Sequence, residues 1–453
     1  MNAHIIRPSS SVAAHRFTVS RVALGALLAL GSASAAQAQS LVELYESARG
    51  YDATFLSARS AYDASLAKAE QARAGLRPQA GLAAGANWNR RDSSVLPDST
   101  FNTQNVTLSA SQPLYRPANA AADQQGQLSI DIAKAQLQSA EQDLIVRTTQ
   151  AYFDVLAAQD TLTFVQAQKK AVSEQLAAAK RNFEVGTTTV TDSREAQARY
   201  DLVIAQEIAA ENDLRVKKLA LDQLVGKPNV APRPLATPVG LPPLVPADPQ
   251  AWVAQAETDH PAVLQATRGL EIAQLETKKA EAGHKPTLDL VGQYQIARAP
   301  ATSGQPIYVR NNTATVGVQF NLPLYAGGAI QNRVKETLAL EDKARTDLEG
   351  AKRGVSQATR SAYFGVLSGQ GQVKALEAAE ASSQSALDAN KLGYQVGVRI
   401  NIDVLNAQSQ LFQTKRDLAV ARYNVLIGGL RLKQASGQLK AEDLQMVNAL
   451  LAR

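Results

Sequence analysis

A chain of 453 residues with 45% hydrophobic content can build one large core or several modest ones, and the absence of any cysteine excludes disulfides, thiolate metal sites, cysteine nucleophiles and a lipid-modified N-terminal cysteine. The formal net charge of +6 overstates the basic character: Arg7, Arg16 and Arg21 fall in the first 38 residues with no acid, leaving about +3 (6 − 3) for the rest. No Lys/Arg stripe with interleaved aromatics occurs, so no nucleic-acid partner is expected.

Residues 1–38 read as a secretory signal peptide: a basic start, the apolar core Val22 to Leu30, and Ala36-Gln37-Ala38 as a cleavage motif. Nine apolar residues are too few to span a bilayer, and no later segment has some eighteen uninterrupted ones. A membrane-embedded part of this exported chain must therefore be a β-barrel.

The remainder says everything twice. Ala74-Gly75-Leu76-Arg77-Pro78 matches Ala282-Gly283-His284-Lys285-Pro286, Ala151-Tyr152-Phe153 matches Ala362-Tyr363-Phe364, and Arg181 to Gln197 matches Leu392 to Gln408. The offset drifts only from 208 to 211, which is too long a period for a solenoid repeat. The division read from this is a first repeat at 39–227, a proline-rich linker at 228–248 and a second repeat at 249–453. Nine of the eighteen prolines lie between Pro228 and Pro261, none lies between Pro117 and Pro228, and none follows Pro323. The two proline-free stretches predict long helices.

Each half opens with an alanine-rich helix, about Leu41 to Ala74 and Pro249 to Ala282. Two strands follow, at Gln79 to Arg90 and Asn105 to Leu114 in the first half and at Thr287 to Ile296 and Thr315 to Leu324 in the second. All four alternate with a period of two, one face greasy and the other polar. Trp88 and Tyr294 stand towards strand ends, as aromatics do at a membrane interface. A transmembrane barrel with a wet lumen and a soluble sheet lying on a core both produce such alternation, but a chain this rich in long helix leaves little to cover a soluble sheet. Four strands cannot close a barrel; two copies supply eight and three supply twelve, and a conducting lumen favours three. Very long helices follow at about Ala118 to Phe183 and Gly328 to Tyr394, roughly 100 Å each. Seven-residue spacing of Leu137, Leu144, Ala151, Ala158, Val165, Val172 and Ala179, and of Leu348, Val355, Ala362, Gly369 and Leu376, predicts coiled-coil-like packing. Shorter helices return at about Asp192 to Leu224 and Asp403 to Gln434.

No catalytic constellation appears, and no cofactor or metal site is expected: neither H-E-x-x-H nor Walker A nor G-x-S-x-G is present. The chemistry gathers instead at the two hairpin tips, where Asp192 and Asp403 begin the returning helices. Helix capping, with Asp192 and Glu195 in a capping-box spacing, accounts for them; so does a ring of acids that selects cations at a constriction. Thr191, Tyr394 and Arg399 could bridge one tip to another.

These residues together, with Pro286-Thr287-Leu288-Asp289-Leu290, Leu322-Pro323-Leu324-Tyr325 and Tyr394 to Leu405, resemble the TolC family of outer-membrane ducts over essentially the whole mature chain. The resemblance implies a mainly α protein with a transmembrane β-barrel: a homotrimer with a twelve-stranded barrel in outer-membrane lipid and a periplasmic α-helical tunnel closed at its inner end. It implies a periplasmic adaptor and an inner-membrane ABC or proton-driven transporter as partners, in type I protein secretion or drug efflux. It carries closing contacts onto Tyr394, Arg399, Thr191 and Asp192, and the acid ring onto Asp403. Asn406 stands where the family prototype has a second aspartate, which predicts weaker cation selectivity. The rivals are a dedicated multidrug-efflux exit duct within the class and a soluble periplasmic coiled-coil adaptor outside it.

Overall fold

The computed structural model describes residues 39–92, 94–95, 98–236, 240–301 and 307–452; the expected signal segment 1–38 lies outside them. Each half follows one plan. The first runs α1 (Leu41–Tyr51), α2 (Ala53–Ala74), β1 (Gln79–Arg91), β2 (Ser99–Tyr115), α3 (Pro117–Glu184) and α4 (Val190–Val225). The second runs α5 (Pro249–Asp259), α6 (Pro261–Glu281), β3 (Thr287–Pro300), β4 (Tyr308–Asn321), α7 (Ala329–Gln395) and α8 (Asn401–Ala435), followed by the short α9 (Asp443–Asn448).

The opening helix of each half is broken, where the sequence predicted a continuous one. Asp52 and His260, 208 positions apart, each end one helix and cap the next, with extended ψ values of 117° and 130°. At His260 the cause is Pro261, which biases the preceding residue away from helical geometry. Asp52 does the same work with its carboxylate, accepting from the Phe55 amide at 2.8 Å. Both of its oxygens also accept from Arg147 of α3, each at 3.0 Å, and this guanidinium holds the Asp52 carboxyl below its usual range. Removing a cap costs about 1 kcal/mol and a charge-assisted hydrogen bond about 1.5–3. Asp52→Ala is therefore expected to destabilise the chain by about 2–4 kcal/mol in a thermal melt, while Asp52→Asn, which keeps the cap, recovers about 1.

The four strands form one antiparallel sheet in the order β1-β2-β3-β4. The strands run further towards the loops than the alternation predicted, because β2 starts at Ser99 and β4 at Tyr308. Polar residues stand on both faces there and the apolar Trp88 and Phe101 lie on opposite faces, so period-two contrast fades while the backbone ladder continues, from Gly85↔Asn105 to Arg91↔Ser99. At its other end β4 stops at Asn321, three residues short of the expected Leu324; Pro323 has no N–H to donate to a ladder. Paired in register, Leu82, Leu108 and Tyr294 fall on one face with Leu288, Leu290, Val316, Val318 and Phe320. Asn105, Thr107, Ser109, Gln293, Gln295, Thr313 and Gln319 fall on the other. At the foot of the sheet Arg116, just before α3, grips Asp289 of β3 with two bonds of 2.7 and 2.6 Å.

Helices α3 and α7 have 68 and 67 residues, about 100 Å each, and α4 and α8 fold back along them as antiparallel hairpins. The predicted heptad positions do pack: Leu144, Ala158, Val165, Val172, Ala179 and Val355 are buried. The main core lies midway along the hairpins, where α1 and α9 close over α3, α4 and α8 around Leu44, Tyr45, Phe153, Leu221 and Leu426. The duplicated Ala-Tyr-Phe motif serves twice, once in this core and once in a second one around Trp252 and Val366. Tyr152 donates to the Arg233 carbonyl at 2.8 Å and Tyr363 donates to the Ala247 carbonyl, so each tyrosine holds one end of the proline-rich connection. The adjacent phenylalanines differ: Phe153 is buried and stacks on Tyr423 with centroids 5.2 Å apart, whereas Phe364 is exposed.

Between sheet and core, Glu276 of α6 joins three helices. It accepts from Gln125 of α3 at 3.0 Å, Arg333 of α7 at 2.7 Å and Lys279 at 3.2 Å. These bonds, the one from Gln125 foremost, lower its pKa from 4.5 to about 2. A carboxylate with a depressed folded-state pKa stabilises above its unfolded value and ceases to do so as the pH falls through the folded one. The stability difference between the native chain and Glu276→Gln is thus expected to be constant above about pH 4.5 and to vanish towards about pH 2, as followed by thermal unfolding across that range.

Candidate functional site

Both hairpins turn in the same way. After α3, Gly186 takes a φ of 77° and the Thr187 amide reaches back to the Asn182 carbonyl at 2.8 Å; after α7, Gly397 takes a φ of 80° and the Val398 amide reaches the Gly393 carbonyl at 2.9 Å. The repeated Val-Gly is thus the left-handed cap that ends a helix and reverses the chain.

The aspartates after these turns are not the N-caps expected from sequence. Thr189 caps α4, its hydroxyl accepting from the Asp192 amide at 3.3 Å while Asp192 accepts from the Thr189 amide at 3.1 Å. The capping box is therefore Thr189 with Asp192, one turn earlier than the expected Asp192 with Glu195. In α8 the N-cap is Ile400, which has no side-chain acceptor, and Asp403 occupies the first turn as the acid favoured by the helix dipole. Thr191 lies exposed on the first turn of α4.

The remaining tip residues are brought together in pairs. Arg399 lies 3.6 Å from Asp403, one turn away. Its aliphatic stem crosses the Gly393 backbone so closely that a Cβ there would stand 2.7 Å from Arg399 Cγ. Tyr394 packs on Leu387, Val404 and Leu411 and accepts from Asn182 of α3 at 3.3 Å. Asn406 accepts from Arg199 of α4 at 2.6 Å. Within one chain, then, the expected partners Tyr394 and Arg399 point to Asn182 and Asp403 rather than to Thr191 and Asp192. Trp88 and Tyr294 are exposed on the apolar face of the sheet, as the alternation predicted, but Tyr294 stands in the middle of β3 rather than towards its end, because the strand runs on to Pro300.

Two elements of the tip were not found from sequence. One is Arg199. The other is an amide ladder on α3: Gln168, Gln175 and Asn182, seven apart, donate to Ser409, Asn401 and Tyr394 of the second hairpin. The heptad signal was present, but it was sought among apolar residues alone. Arg199 matches Gln410 in the second repeat, so the duplication gave no hint of it.

A sheet apolar on one face and polar on the other, set on helical hairpins about 100 Å long, defines a protomer of a membrane-anchored tubular duct. The chain belongs to the outer membrane efflux protein family, whose model matches residues 44–227 and 252–438. That is a family of channels, not of enzymes. The chain is 33% identical over 427 residues to the outer membrane protein TolC of Vibrio cholerae, covering 93% of this chain and 96% of that one. It is 30% identical over 442 residues to the proteases secretion protein PrtF of Dickeya chrysanthemi, covering 94% of each. Among solved structures it superposes on the outer membrane protein VceC of Vibrio cholerae with a TM-score of 0.75, 19% identity, and coverage of 88% of this chain and 96% of that one.

Proposed function

We propose that this chain is a passive exit duct for proteins exported by type I secretion and for small toxic compounds, built from three copies in the outer membrane and reaching across the periplasm. The observation that carries this reading is the sheet. The outer edges of β1, with 13 residues, and of β4, with 14, have no strand partner among the described residues, and the apolar face is bare: Leu82 is 73% exposed, Val316 81% and Phe320 62%. Long unpaired edges and a naked greasy face are stable only when other copies close the ring and lipid covers the outside. The names of the relatives support both cargoes, since PrtF is a proteases secretion protein and other members are efflux proteins. A duct without an energy source of its own needs an inner-membrane ABC or proton-driven transporter and a periplasmic adaptor, and the hairpin tips face that side.

In this reading residues 1–38 are removed, and 39–227 and 249–453 are two repeats joined by 228–248. Asp403 and Asp192 line the constriction with Asn406, while Tyr394, Arg399 and Thr191 close it. Trp88 and Tyr294 sit at the membrane interface. Membrane fractionation tests the placement: the protein stays with outer membranes through urea or carbonate washing and leaves only with detergent. Release by washing would identify a soluble coiled-coil adaptor instead. Deleting the gene then separates the cargoes, through loss of a secreted protein or gain of sensitivity to toxic compounds.

A further inference from the structure

The geometry points to a binding site for a phosphate-bearing lipid headgroup on the outer-leaflet rim of the sheet, made by Arg298 and Arg310. These residues are directly opposed in the β3–β4 ladder. Both continue the even-numbered face that carries Leu288, Leu290, Tyr294 and Ile296 on β3 and Val316, Val318 and Phe320 on β4. From Leu288 to Ile296 the strand advances about 27 Å, or about 19 Å of height at a 45° tilt, close to the apolar band of an outer-membrane barrel. The next outward pair after Ile296↔Asn312 is Arg298↔Arg310. Two guanidiniums therefore stand just above the hydrocarbon, on the side away from the helices, facing lipid.

Like charges placed opposite one another across a ladder are destabilising unless something neutralises them. Nothing among the described residues does so. Both arginines are exposed, neither forms an ion pair among the described residues, and the whole stretch from 297 to 312 contains no acid. Arg90 shares the outward face of β1 but is already paired with Asp92 at 3.1 Å, so it lies outside the site. Arg298 is also held in place. The Arg298 guanidinium lies 5.2 Å over the Tyr308 ring, and the Tyr308 hydroxyl accepts from the Asn102 amide of β2 at 3.3 Å, so the ring lies across the loop end of β3. A planar donor fork fixed on an aromatic face suits a phosphate, which two adjacent guanidiniums can bind through paired N–H···O bonds. The neighbouring apolar face supplies contact for the acyl chains, so the occupant is a lipid rather than a free anion. The inference rests on the even-numbered face meeting lipid.

The test is native mass spectrometry of the detergent-purified oligomer titrated with bis-phosphorylated lipid A, with the same lipid dephosphorylated, and with inorganic phosphate as competitor. The unaltered protein is expected to bind the phosphorylated lipid at least about tenfold more tightly than the double variant R298Q/R310Q. Dephosphorylated lipid should not distinguish the two proteins, inorganic phosphate should not displace the lipid, and R90Q should bind as the unaltered protein does. Channel activity of the double variant confirms that it folds. A nitroxide at Val316→Cys checks the lipid face separately. If that label contacts lipid and the double variant binds equally well, the site is refuted while the barrel stands; if it contacts water, both fall. Displacement of the lipid by inorganic phosphate would make this a free-anion site and overturn the lipid assignment.

Discussion

Arg199→Gln combined with Asn406→Asp is expected to raise the preference of the channel for cations over anions by about tenfold, read as a shift in reversal potential across a salt gradient. In the native tip the one first-turn acid of α8, Asp403, has Arg399 at 3.6 Å, and the position one turn further carries Asn406 bonded to Arg199. The hairpin tip thus holds cationic and anionic groups side by side. The double change replaces a positive and a neutral side chain by a neutral and a negative one, two charge units per chain and about six around a ring of three. A unit charge about 4 Å from a passing ion is worth about 1 kcal/mol even in bulk water, and about 1.4 kcal/mol makes a tenfold difference. Asp403→Ala alone should move the reversal potential in the opposite direction. An unaltered reversal potential in the double variant would mean that Arg199 and Asn406 face away from the conducting path.

Tyr394→Phe with Arg399→Ser is expected to raise single-channel conductance through a tip that opens more readily. Tyr394 fastens the second hairpin to Asn182 of the first by a bond of 3.3 Å, and Arg399 is held by Asp403 and by the close approach of Gly393. Exposed polar links of this kind contribute about 0–1 kcal/mol each, and about 1 kcal/mol shifts an open–closed balance about fivefold. Each single change should therefore act modestly, and the pair should multiply unless the two links are coupled. The seam continues through the polar contacts of Gln168 with Ser409 and Gln175 with Asn401, but Leu405 of α8 is also buried against Val172, Leu176 and Ala196 of the first hairpin, so the hairpins part there only by uncovering that one apolar contact. Unchanged conductance in the double variant would remove Tyr394 and Arg399 from the closing contacts.

Most of the fold was legible because it rests on signals that sequence states directly. Proline-free stretches located α3 and α7 to within a residue or so, since a proline cannot sit inside a helix. Period-two alternation located four strands, and the duplication showed that both hairpins turn at Val-Gly. What failed failed locally. The break at Asp52 needed a carboxylate bonded to Arg147, which is 95 positions away and invisible to local pattern. The break at His260 was legible from Pro261 and was missed. The outer ends of β2 and β4 escaped because Asn and Thr occupy both faces there. At the tip the motif placed Asp192, Tyr394, Arg399 and Asp403 in one small region, but their partners are tertiary. Thr189 rather than Asp192 takes the cap because it lies one position before α4 begins, and Arg199 meets Asn406 only because the two returning helices touch.

The measurement that tests the duct most directly is single-channel recording of Asp403→Cys in a planar bilayer, before and after a bulky cationic thiol reagent. The protein has no cysteine of its own, so the introduced thiol is the only one in each chain. A duct of three chains narrowest at its hairpin tips predicts small, stable openings in which the reagent reduces the current in three discrete steps. Complete labelling of the introduced thiol with an undiminished current would contradict it, because the tips would then stand outside the conducting path.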